Sequence, residues 1–216
     1  DLVWFGGLSG VQARLQTPGA RVIAQRDIDP RFHSVFIANR NSGLLPIDDV
    51  QGLEQLKGRR FTFGSQTSTS GTLMPTHFLS QAGVSPSQFA GGAPGHSGSH
   101  DATVALVQSG AYEAGALNEQ VWLDNLRNGK ADPEKVLMLW RTPPYPDYHW
   151  IIQGDLDQRL GAGFSERLSQ AILSWSPEDP QMERILELFS AERFIPAKAA
   201  DYSTIEEIGR KTGKIR

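Results

Sequence analysis

Along nearly the whole chain, short apolar runs alternate with stretches whose apolar residues recur every three to four positions. Runs of strand length fall at residues 2–5, 22–25, 34–38, 60–63, 113–117, 136–140 and 149–152. Helical periodicity marks residues 9–15, 50–56, 71–82, 101–109, 119–127, 165–174 and 181–189. Within 101–109, Ala102, Ala105 and Leu106 share one face and Gly110 stops the pattern. Such alternation predicts an α/β protein with a mainly parallel sheet.

Two breaks in the pattern predict crossings between lobes. One is the polar, flexible segment 39–43, after the run at 34–38; the other is the proline-rich segment 141–146. The stretch between them holds about 100 residues of βα units, enough for a lobe of its own. The expected division is therefore lobe 1 at 1–39 and 147–216, and lobe 2 at 43–142. The chain opens in mid-strand at Asp1-Leu2-Val3-Trp4-Phe5, so a leading part of lobe 1 is expected to be missing, together with any targeting signal.

Composition narrows the chemistry. A formal charge of -3, with Lys and Arg scattered, gives no basic stripe and no nucleic-acid partner. Without cysteine there is no disulfide, thiol nucleophile or cysteine metal site. No apolar run approaches the roughly 20 residues a membrane span needs.

Three stretches carry candidate chemistry. Residues 64–75 read GSQTSTSGTLMP, and six of the eight positions from Ser65 to Thr72 bear a hydroxyl. They sit where a strand turns into a helix, where unpaired N–H groups and the dipole favour an anion. A P-loop would place Lys after Gly71; Thr72 stands there, so nucleotide hydrolysis loses its cation. One hydroxyl suffices for an N-cap, and the excess points to a ligand. The second stretch, Gly95 to Asp101, brings His100 to a helix start as a further donor. It misses the G-x-S-x-G pattern, and His96 with His100 lacks a third metal ligand. The third stretch, Tyr145 to Trp150, sets aromatics around Asp147; Trp150 itself reads as core packing. Polar Asn118, Glu119 and Gln120 follow the strand at 113–117, where α/β sheets often meet ligands.

Taken together, these residues resemble the phosphate/phosphite/phosphonate-binding proteins of bacterial ABC importers, over essentially the whole chain. Residues 1–9 resemble the family's D-(I/L)-x-W-(Y/F)-G-x-L-S segment, and residues 34–39 its central hinge-bound strand. The most specific match is Ser68-Thr69-Ser70-Gly71-Thr72-Leu73-Met74-Pro75, which resembles S-T-S-G-x-L-x-P. Gly98-Ser99-His100-Asp101 resembles the G-H-(E/D) element, and Pro146-Asp147 the acidic ligand-facing loop.

The resemblance implies a two-lobed periplasmic-binding-protein fold, type II-like, with the ligand between lobes that close about the two crossings. It implies that Ser68, Thr69, Ser70 and His100 hold the oxyanion and that Asp147 faces the ligand's other substituent. Two positions depart from the family. Phe32 stands where phosphonate binders carry a tyrosine, and Gln120 where aminoalkylphosphonate binders place a glutamate, with Glu119 one position off. A neutral amide holds an ammonium less well than a carboxylate does. Phosphonate or phosphite is thus the expected ligand, with selenate, as in a related branch, the alternative. Capture without catalysis is expected, with no cofactor and no metal, a membrane permease as partner, and a periplasmic location, or a lipid anchor where there is no periplasm. A Ser/His hydrolase using His100 and the sensing domain of a transcription regulator are the competing readings.

Overall fold

The computed structural model describes residues 1–216. The strands are β1 (Leu2–Phe5), β2 (Arg21–Arg26), β3 (Ser34–Asn39), β4 (Phe61–Phe63), β5 (Gly95–His96), β6 (Ala114–Asn118), β7 (Val136–Arg141), β8 (His149–Ile152) and β9 (Phe194–Pro196). The α-helices are α1 (Gly7–Gln16), α2 (Met74–Gln81), α3 (His100–Gln108), α4 (Glu119–Arg127), α5 (Leu156–Leu160), α6 (Phe164–Leu173), α7 (Pro180–Phe189) and α8 (Ser203–Lys211). They divide into two units. Unit 1 comprises Asp1–Phe32 and Pro144–Arg216; unit 2 comprises His33–Pro143.

Unit 1 is built on a four-stranded sheet in the order β1-β8-β2-β9, antiparallel at every step. Its core is aromatic. Trp4 and Trp150 are cross-strand partners, and both pack with Phe189 and Phe194. Facing large rings across a ladder contribute beyond their buried area. On α1, Leu8 and Val11 point inward at i and i+3, and Gly10 leaves room for the His149 imidazole, with which any Cβ would collide. On α8, Ile205 and Ile208 repeat that spacing, and Gly213, at φ +71°, follows its end. Paired backbone hydrogen bonds between Phe32 and Tyr145, 2.9 and 3.0 Å, join the unit's two chain segments.

Unit 2 carries a five-stranded sheet in the order β5-β4-β6-β3-β7. Strands β5, β4 and β6 are parallel and joined through α2 and α3, while β3 is antiparallel to both β6 and β7. Every residue of β3 is buried, because both faces of the central strand are covered. Val35 and Ile37 pack with Val104, Val107, Leu117 and Trp122. Phe36 packs with Phe61 and Trp140 instead.

Several expectations change. The sheets pair mainly antiparallel, because β8 lies between the α1-linked parallel strands β1 and β2, and β3 between the α4-linked parallel strands β6 and β7, each running opposite to its neighbours. The first passage between units lies at Phe32/His33 and not at 39–43, since β3 takes its ladder partners from β6 and β7. The segment 50–56 winds as a 3-10 helix, and the helix expected at 71–82 begins earlier, as a π turn over Thr69–Leu73 that continues into α2.

Candidate functional site

The hydroxyl-rich stretch leaves β4 at Phe63 and is fastened at once, as Gly64 N–H donates to the Gly71 carbonyl at 2.9 Å. Ser68, in extended conformation, caps the turn; its Oγ accepts from Gly71 N–H at 2.9 Å. Two bonds spanning five residues then open the helix into π geometry: Leu73 N–H donates to the Ser68 carbonyl at 3.0 Å and Met74 N–H to that of Thr69. Such π turns gather at functional sites. The remaining hydroxyls have uneven fates. Thr72 Oγ1 donates back to the Ser65 carbonyl at 2.7 Å, and Thr69 is buried. Ser70 has its carbonyl held by Ser34 Oγ at 2.7 Å, while its own Oγ, in a residue 1% exposed, has no hydrogen-bond partner. A buried hydroxyl left unmatched costs about 1–3 kcal/mol, and an incoming acceptor would recover it.

His100 stands against this turn as the first residue of α3, whose N-cap is Ser99. Close approach depends on glycine. A Cβ at Gly71 would lie 3.1 Å from the His100 ring and 3.2 Å from the Gly64 Cα. Asn118 N–H donates to His100 Nδ1 at 3.3 Å, so the proton resides on Nε2, which is left to donate. Burial pushes the imidazole pKa down to about 4, against the nearby charge of Asp101. The ring is therefore neutral near pH 7. Asp101 is itself occupied by Asn125 Nδ2 at 3.0 Å. No serine hydroxyl reaches His100: Ser99 Oγ caps α3, and Ser97 Oγ bonds Thr103 Oγ1 at 2.7 Å. The hydrolase reading thus lacks its nucleophile–base contact. His96 stacks on Phe63 at 5.6 Å, with Nδ1 near the Gly64 carbonyl.

Asn118 also caps α4, its Oδ1 accepting from Gln120 N–H at 2.7 Å and Val121 N–H at 3.2 Å. Three helix starts, those of the π turn, α3 and α4, therefore meet around His100 at the carboxyl ends of β4 and β6, where α/β sheets take ligands. Gln120 lies in the first turn of α4. Glu119 beside it is bound by both arms of Arg141.

On unit 1, Asp147 is buried, and its Oδ1 accepts from Gly7 N–H at 2.8 Å, capping α1 from across the chain. His149 Nδ1 bonds the Asp147 carbonyl at 3.1 Å, and the imidazole lies tilted against the Tyr202 ring, centroids 3.8 Å apart. Phe32, 2% exposed, packs its ring against Tyr145 and Tyr148. Trp150 lies in the aromatic core. Sequence reasoning missed Ser34 as the support of Ser70, and Gly64 with Gly71 as the room for His100. A serine opening an otherwise apolar buried strand was the available signal.

The π turn and the start of α3 thus present uncharged donors, with the Ser70 hydroxyl buried and unmatched and no serine hydrogen-bonded to His100. The chain belongs to the family of phosphonate-binding periplasmic proteins of ABC transporters, whose description reads "ABC transporter, phosphonate, periplasmic substrate-binding protein" and which residues 1–202 match. It is 56% identical over all 216 residues, and over 73% of the relative's length, to a Prochlorococcus marinus (strain MIT 9301) protein named "Probable ABC transporter phosphite binding protein PhnD1". The structure of PhnD1 from that organism in complex with methylphosphonate superimposes with a TM-score of 0.96, covering 100% of this chain and 79% of that one at 56% identity. A binding-protein component of an ABC phosphonate transporter from Pseudomonas aeruginosa shares the fold, at TM-score 0.78 and 18% identity, over 96% and 67% of the two chains. The fold is that of the periplasmic binding proteins. Members of the family bind substrate for a transporter and are not enzymes, and neither the hydrolase nor the selenate and regulator readings finds support among these relatives.

Proposed function

We propose that the chain captures phosphite or a small alkylphosphonate, such as methylphosphonate, and delivers it to an ABC permease. The observation that carries this reading is the Ser70 hydroxyl, buried and unmatched in the turn whose next residue, Gly71, packs against the neutral His100 ring. In this reading Ser68, Thr69 and Ser70 donate hydroxyl hydrogens to the oxyanion, Ser68 Oγ still accepting from Gly71. His100 donates through Nε2–H. None of these groups carries a positive charge, so the anion is held by hydrogen bonds of the charge-assisted kind and can still be released. Gln120 offers an amide to the ligand's far end. Asp147 and Phe32 keep the ligand roles that the family resemblance gives them; for these two the support is that resemblance.

The relative named for phosphite and the related structure holding methylphosphonate favour an oxyanion with a hydrogen or a methyl as its fourth substituent. No helix is long and apolar enough to cross a membrane. The family's extracytoplasmic setting is, in this reading, the periplasm, or a lipid-anchored position where there is none. A thermal-shift panel of phosphite, methylphosphonate, phosphate, sulfate and selenate tests the proposal, because a ligand bound only by the native state raises Tm. Phosphite or methylphosphonate should give the largest rise at equal concentration. A larger rise with sulfate or selenate would overturn the assignment.

A further inference from the structure

We infer that Arg141 is a charge-selectivity residue of the oxyanion site. It draws the one acidic side chain in the first turn of α4 away from the cradle and cancels it, which biases the site toward phosphonates that carry no ammonium. This rests on the proposed cradle.

Strand order supplies the geometry. The cradle occupies the ends of β4 and β6, which are neighbours, whereas β7 lies beyond β3 on the other side of β6. Glu119 directly follows Asn118, whose N–H holds His100, so its backbone adjoins the anion's donors. Its N–H donates to the His33 carbonyl of the segment entering β3, at 3.3 Å. Its carboxylate then reaches past β3 to the last residue of β7, where Arg141 Nε and Nη2 take one oxygen each, the latter at 2.9 Å. A fork of this kind fixes direction as well as charge. The Glu119 side chain is only 13% exposed and that of Arg141 is 49% exposed, so water screens the pair incompletely.

A carboxylate in a first helical turn is favoured by the same dipole that favours a bound oxyanion. The two therefore compete for one field. Arg141 resolves that competition, whereas an uncompensated Glu119 would repel the ligand's negative charge and attract an ammonium group.

Calorimetric titrations at low salt with methylphosphonate and with 2-aminoethylphosphonate, using wild type, R141Q, E119Q and the double variant, test the inference. R141Q should weaken methylphosphonate binding about three- to tenfold and narrow the preference over 2-aminoethylphosphonate. The double variant should return to within about twofold of wild type, because the repelling charge is gone. Unchanged binding in R141Q, or a loss in R141Q that E119Q does not restore, overturns the inference. A Ser70→Ala control separates the two readings. If it binds methylphosphonate as wild type does, the cradle fails and this inference fails with it. If Ser70→Ala is weak and R141Q is not, this inference alone fails.

Discussion

In unit 1 the Arg26 guanidinium is closed on every side. Nε and Nη2 bond the two oxygens of Asp29 at 2.8 and 2.7 Å, and Nη1 bonds the Phe189 carbonyl at 2.6 Å. The rings of Trp4, Phe32 and Tyr148 surround it at 5.6, 5.6 and 5.0 Å. In unit 2 the turn buries the Thr69 and Ser70 hydroxyls, yet Ser70 Oγ is left without a partner and His100 Nε2–H is left to donate. The first region carries full charges and satisfies them; the second carries no charge and leaves donors over. A buried polar group that the fold satisfies holds structure; one left unmatched, as Trp150 Nε1 and Ser165 Oγ also are in unit 1, marks a ligand site only where further donors surround it, as His100 and the π turn do near Ser70.

The largest effect is expected at the ion pair. Asp29 is fully buried; burial raises its pKa, and the Arg26 bonds oppose that rise. Asp29→Asn leaves the guanidinium without its counter-charge and should cost about 3–5 kcal/mol of unfolding free energy, measured by urea denaturation. A loss below about 1 kcal/mol would mean the pair is not the closed unit described.

A smaller effect comes from one histidine in each unit that desolvation keeps neutral, the half-buried His100 and the buried His149. Burial pushes both His100 and His149 down to about 4 from an ordinary 6.5. Between those values the unfolded chain binds protons that the native state refuses. Stability is therefore full above about pH 6.5 and falls as pH drops toward 4. His100→Gln should flatten that part of a Tm-against-pH curve by about half, since one of the two uptake sites is removed. An unaltered slope would show that His100 is not held neutral.

Much of this was legible in sequence, for physical reasons that also mark the limits. The seven expected strands all form, each within a residue or so of its expected ends, because apolar runs of that length have few other uses. Strands β5 and β9, of two and three residues, were not seen, since so short a strand is defined by its partner and not by its own pattern. Helix α8 also went unread; its apolar face consists mainly of Ile205 and Ile208, and the four charges of its nine residues dominate the stretch. Strand direction was misread because βα alternation cannot show which strands come from across a unit boundary. At the site, the hydroxyl excess at 65–72 was visible at once. Which hydroxyl stays unmatched was not, because that depends on Ser34 and Ser65 taking up the neighbouring groups.

Ser70→Ala tests the cradle most directly, through affinity and stability measured together. Ser70 Oγ makes no hydrogen bond within the protein, so its removal should leave the unfolding free energy of the ligand-free protein equal or slightly higher. Methylphosphonate affinity by calorimetry should fall about tenfold or more, as a charge-assisted hydrogen bond worth about 1.5–3 kcal/mol is lost. Wild-type affinity in the variant would contradict the account.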